Sequence, residues 1–167
     1  MSDGRIVVLG VGNPLMGDDG FGLVALDHLR TDWLLPDRVE LLDGGTWGMQ
    51  LLPVFEEAEE ILILDAIESH LPPGTPVELA KDELPRLFRL RVSPHHVDLE
   101  DVLALLEFRG TQPPRIHAMG VNPDQVDWGM GLSPAVEAAV PAFVDRVVTY
   151  LGSRGVAVSR RPVPCTS

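Results

Sequence analysis

Three stretches of this 167-residue chain put ionisable groups directly after apolar runs, where a strand can hold a side chain in place and leave it open to a ligand. The first is the glycine-rich loop Gly10 to Gly22, G-V-G-N-P-L-M-G-D-D-G-F-G, with the adjacent acids Asp18 and Asp19. The second is Asp65, which closes the run I-L-I-L from Ile61 to Leu64. The third is S-P-H-H, Ser93 to His96, ahead of a helical pattern through Leu99. Two carboxylates and an imidazole from separate loops make a mixed oxygen and nitrogen donor set that suits a divalent first-row metal. Ligands so well separated in sequence leave coordination positions open for a substrate, unlike a closed structural cage. The spacing matches no local metal motif.

Each of these residues also has a plainer reading. Asp18 or Asp19 would serve as a helix cap ahead of Gly20-Phe21, satisfying free N–H groups at the helix start. Two adjacent acids rarely both cap. Asp65 would cap a following helix, but Ala66 to His70 runs into Pro72-Pro73 without a helical pattern, which favours a functional carboxylate. His95 and His96 flank a helix start, where structural histidines are common, and His28, His70 and His117 read as ordinary surface or core residues.

The elements that must position these groups follow from hydrophobic patterning. Arg5 to Val11 and Ile61 to Asp65 are uninterrupted apolar runs of the kind that form parallel strands buried on both faces. Val39 to Asp43, Val77 to Ala80 and Arg115 to Val121 are further strand candidates, with Val77 to Ala80 at an edge. Helices are expected from Phe21 to about Thr31, from Trp47 to Glu57 with Thr46 as cap, through Leu99, Val102, Leu103 and Leu106, and from Pro134 onward behind a Ser133 N-cap. Strands alternating with helices predict a three-layer α/β/α sandwich around a twisted, mostly parallel sheet of about five strands. In such a fold the ligand site lies beyond the C-terminal ends of the strands. Residues 1–158 read as a single α/β domain and residues 159–167, basic and proline-bearing at their start, as a flexible tail.

Composition excludes several classes. With 25 Asp plus Glu against 13 Lys plus Arg, the chain is poorly suited to nucleic acid or an anionic membrane as main partner. The one cysteine, Cys165, allows neither an internal disulfide nor a cysteine metal cage. No signal-peptide pattern opens the sequence and no apolar run is long enough to span a membrane, so a cytoplasmic location is expected. The glycine loop is not a dinucleotide fingerprint. Gly10 and Gly12 fit its first two positions, but the third falls on Leu15, and Asp18-Asp19 would repel phosphate. H-E-x-x-H and G-x-S-x-G are both absent. A peptidase built on this chain would have to use a carboxylate, a water or a metal.

Five stretches taken in order resemble the hydrogenase maturation endopeptidases of the HybD/HycI/HoxW type. They are Gly10 to Gly22, L-D-G-G-T-W-G-M from Leu42 to Met49, I-L-I-L-D-A-I from Ile61 to Ile67, Ser93 to His96, and G-L-S-P-A-V-E from Gly131 to Glu137. The resemblance implies a twisted sheet between helix layers. It also implies three metal-contacting side chains, which by motif position are Asp19, Asp65 and His95, acting in catalysis as well. Asp18 beside Asp19, His96 beside His95, and Asp43 in the D-G-G-T element are secondary candidates. The implied activity is one cut after a basic or imidazole residue, removing the C-terminal extension of a nickel-iron hydrogenase large-subunit precursor after nickel insertion. Nickel would arrive with the substrate rather than reside in this protein, which is expected to act as a monomer. The competing expectation from another class is a non-catalytic, nickel-dependent assembly chaperone for the same precursor. A phosphate-binding module is a more distant third.

Overall fold

The computed structural model describes residues 4–44, 48–85 and 94–164, with only the backbone of Gly48 and of residues 94–98. The centre of the molecule is β1 (Ile6–Gly10), all of whose residues are buried. It lies between β3 (Val39–Asp43) and β4 (Glu60–Ala66), with β6 (Arg115–Val121) and β5 (Pro76–Leu79) completing the sheet in the order β3-β1-β4-β6-β5. The first four of these are mutually parallel, and β5 pairs antiparallel with β6 at the edge. The edge position explains why β5 tolerates Pro76 at its start, since a proline has no N–H for a ladder.

Strand alternation divides the core in two. Ile6 and Val8 of β1 and Leu62, Leu64 and Ala66 of β4 face α1 (Phe21–Asp32) and α4 (Pro134–Ser153), where Phe21 and Phe143 meet edge to face at 4.8 Å between centroids. Val7, Leu9, Ile61 and Ile63 face the opposite layer, α2 (Leu52–Glu57) and α3 (Pro94–Arg109), which contributes Phe55, Leu99, Val102 and Leu106. The three-layer expectation is met. Helix α3 leads through a short connection into the start of β6. Because β6 is parallel to β4, α3 runs against the strands and begins at their C-terminal edge.

The opposite edge is tied by a buried acid. Glu60, at the start of β4, accepts hydrogen bonds from Tyr150 Oη and from Arg154 Nε at 2.8 Å, joining the sheet to the end of α4. Burial, and then the Glu60 carboxylate, hold the Tyr150 phenol well above its ordinary range.

Two local features depart from the sequence reading. The helix expected from Trp47 is a 3-10 turn over Gly48–Leu51 followed by α2 from Leu52, which places Pro53 in the first turn, where a missing N–H costs nothing. Thr46 and Trp47 lie outside the described residues. Residues expected to begin a tail instead form β7 (Ser159–Arg160), antiparallel to β2 (Trp33–Leu34). The Arg160 guanidinium stacks 5.3 Å over the Trp33 ring, and the Arg161 N–H donates to Asp32 O at 2.8 Å.

Candidate active site

The loop after β1 is built on close backbone approach. Val11 N–H continues the ladder to Leu64 O at 2.9 Å. Gly12 has a φ of +129°, and a Cβ there would lie 1.8 Å from the carbonyl oxygen of Asp19. Gly22 allows the start of α1 to rest on β4, since a Cβ would come 2.1 Å from Leu64 O. These glycines let the loop fold back over the end of β1 and β4. The 3-10 turn Gly17–Gly20 then presents both acids at that edge, with Asp18 0% and Asp19 2% exposed.

The two acids have different surroundings. The Asp18 carboxylate accepts hydrogen bonds from the main-chain N–H groups of Asp124 and Gln125, both at 2.9 Å, and of Ser133 at 2.7 Å, and from Ser133 Oγ at 2.8 Å. Burial pushes its pKa up, and these bonds together outweigh burial, leaving it below the ordinary 3.8. Asp18 therefore fastens the segment from Asp124 to Ser133 onto the glycine loop. The segment also forms a bridge between Met16 and Gly129. Asp19 bonds back within its own loop, accepting the N–H of Asn13 at 3.0 Å.

Neither acid caps α1, whose N-cap position is Gly20. Ser133 precedes α4 as expected, yet its hydroxyl makes no capping bond; it is committed to Asp18. Sequence reasoning missed this clamp because Asp18 and its partners are 106 to 115 residues apart.

Asp65 is fully buried and accepts the N–H of Ala66 at 2.8 Å. It is in phase with Ile61 and Ile63 and so belongs to the sheet face covered by α2 and α3. In register, Gly10 stands opposite Asp43 on one side and Leu64 on the other. Asp43, exposed at the end of β3, and Asp65 thus border the loop that carries Asp19. The backbones of His95 and His96 form the first turn of α3, at the same edge of the sheet, and their side chains lie outside the described residues. Among the described residues no three metal-ligating side chains form a cluster. His28 pairs with Asp32, and His117 stacks on Tyr150 near Glu78, both away from this edge.

The chemistry available here is that of buried carboxylates at one strand edge. They are oxygen donors for a divalent ion, and either one is a candidate base toward a water.

Known proteins match this chain over most of its length. The family model HycI, hydrogenase maturation protease, matches residues 25–150. The hydrogenase 2 maturation protease of Escherichia coli K12 is 41% identical over 153 residues, covering 91% of this chain and 93% of its own. The hydrogenase expression/formation protein HupD of Rhizobium leguminosarum bv. viciae is 38% identical, covering 95% of this chain and 79% of its own. Among solved structures, the hydrogenase maturating endopeptidase HybD from E. coli superposes with a TM-score of 0.87 at 40% identity, over 94% of this chain and 98% of that one. The maturation protease HybD from Thermococcus kodakarensis gives a TM-score of 0.69 at 32% identity, over 87% and 98% of the two chains. By both sequence and fold, the chain belongs to the hydrogenase maturation proteases, and it is a peptidase.

Proposed function

We propose that this peptidase removes the C-terminal extension of a nickel-iron hydrogenase large-subunit precursor once nickel has been inserted. In this reading Asp19, Asp65 and His95 grip the nickel that the precursor carries, so that the metal is part of the substrate and acts as its licence for cleavage. The observation that carries the reading is the division of labour between the adjacent acids. Asp18 is spent on the Asp124–Ser133 segment, whereas Asp19 sits against Gly12, at the end of the strand that pairs with the one leading into Asp65. This supports Asp19 over Asp18 as the ligand. The phase of Asp65 supports its meeting the imidazole of His95, because α3 covers that face and begins at that edge. Asp43 and His96 are held as secondary contacts.

Captured nickel would fix the segment to be cut beside the two carboxylates and supply a Lewis acid toward the scissile carbonyl or a water. The chain's own part is to orient the precursor and, through Asp19 or Asp65, to take a proton from the attacking water. Among the described residues no helix is long and apolar enough to cross a membrane. We place the reaction in the cytoplasm, with the protein acting as a monomer.

The test is processing of nickel-loaded precursor by Asp65→Ala and by His95→Ala, followed as the mass of the large subunit. Both variants are expected to lose cleavage while keeping the far-ultraviolet circular dichroism of the parent. Parental turnover by both would mean the site lies elsewhere.

A further inference from the structure

The segment from Asp124 to Ser133 has an unusual combination of firm anchorage and apolar exposure. It is held by a fully buried carboxylate with four hydrogen bonds. The Gly17 N–H also donates to Gly129 O at 2.9 Å, and the Gly129 N–H donates to Leu15 O at 3.0 Å. Yet, Leu132 apart, the large apolar side chains of the segment add nothing to either core. Trp128 is 80% and Met130 85% exposed, and Val126 and Leu15 are about half exposed. A loop tied down so thoroughly, with its tryptophan and methionine left in water, is not explained by packing. Exposed apolar groups grouped in this way mark interaction sites. Tryptophan and methionine are the residue types enriched at the centres of protein interfaces, the second because its side chain adapts to irregular partners.

We propose that Leu15, Val126, Trp128 and Met130 form a docking surface for the large-subunit precursor, resting on the reading given above. Position argues for this occupant. Leu15 lies on the same loop as Asp19, four residues earlier, and the remaining three lie on the segment clamped by the neighbouring Asp18. The surface is therefore tied directly to the loop that carries Asp19, and a precursor engaged at the candidate cutting site has it as a neighbour. Charge refines the partner. Asp124 and Asp127 are exposed beside the apolar groups, on a protein of net charge −12. The complementary surface is an apolar stretch of the precursor bordered by basic residues.

The test is calorimetric titration of full-length protein with purified nickel-loaded precursor, beside a separate cleavage assay. The double variant Trp128→Ala/Met130→Ala is expected to bind about tenfold more weakly or worse, as truncation of central interface residues does. Trp128→Phe should keep most of the affinity. Phe108→Ala, which alters another exposed aromatic on α3, should bind like the parent. Unchanged thermal midpoints would show that the fold is intact. Affinity of the double variant within about twofold of the parent, or no binding by the parent itself, would overturn the docking surface. If the parent binds and the double variant does not, but the parent never cleaves, the docking surface stands and the cleavage reading falls. Cleavage by the parent with undiminished binding by the double variant removes the docking surface and leaves the cleavage reading standing.

Discussion

Asp18→Asn is a nearly isosteric change with a calculable cost. Four donors converge on the native carboxylate, three main-chain N–H groups and one hydroxyl. An amide offers a single oxygen with two lone pairs, and its NH2 group must face donors. Two of the four are left without an acceptor, and the others lose the charge that strengthened them. At about 1–3 kcal/mol per buried donor left unsatisfied, the loss is about 2–6 kcal/mol. The Asp124–Ser133 segment is at the surface and can part from the loop to rehydrate its N–H groups, which favours the lower half of that range. For a chain of this length, a loss of about 3 kcal/mol lowers the melting midpoint by roughly 6–12 °C. Urea unfolding followed by circular dichroism measures it directly. Ser133→Ala, which removes one hydroxyl donor to the charged carboxylate, should cost about 1.5–3 kcal/mol. The sign with pH is also fixed. A carboxylate whose folded pKa is depressed below 3.8 stabilises the protein fully above that value, and the contribution fades as pH falls through the folded pKa. The gap between parent and Asp18→Asn should therefore narrow in acid. A difference at neutral pH of less than about 0.5 kcal/mol would refute the clamp.

Two further outcomes follow from the same geometry. Gly12→Ala would drive a methyl group into the Asp19 carbonyl, at 1.8 Å and from a φ of +129°. It should cost about 2–4 kcal/mol of stability and displace Asp19, which denaturant titration and the cleavage assay would register together. Tyr150 is the only tyrosine, so phenolate absorbance reports it alone. Because its folded pKa is raised by burial and by Glu60, absorbance should stay low as pH passes the ordinary 10. Stability should decline from that pH upward, since the unfolded chain loses its proton first; normal titration in folded protein would contradict the Glu60 clamp.

The sheet and its helices were readable in the sequence where burial imposes a simple pattern. Ile6–Gly10 and Glu60–Ala66 are buried on both faces and show as unbroken apolar runs. Helix α4 shows its stripe of Val136, Val140, Phe143, Val147 and Leu151. Elements held by few local preferences were not readable. β7 depends on Trp33, distant in sequence, for its pairing and for the stacking of Arg160. The candidate site was legible in part, because strand ends in a parallel sheet point to where ligands gather. The distinction between Asp18 and Asp19 was not, since Asp18 is defined by three partners beyond position 123 and no local pattern announces them. A signal did exist in W-G-M-G, Trp128 to Gly131, where large apolar residues alternate with glycine outside any helix or strand pattern.

The most direct test of metal-licensed cleavage presents purified protein with the same precursor in nickel-loaded and nickel-free form and follows each by mass spectrometry. Loss of the C-terminal extension from the loaded form alone is the expected result. Equal cutting of both forms would contradict it.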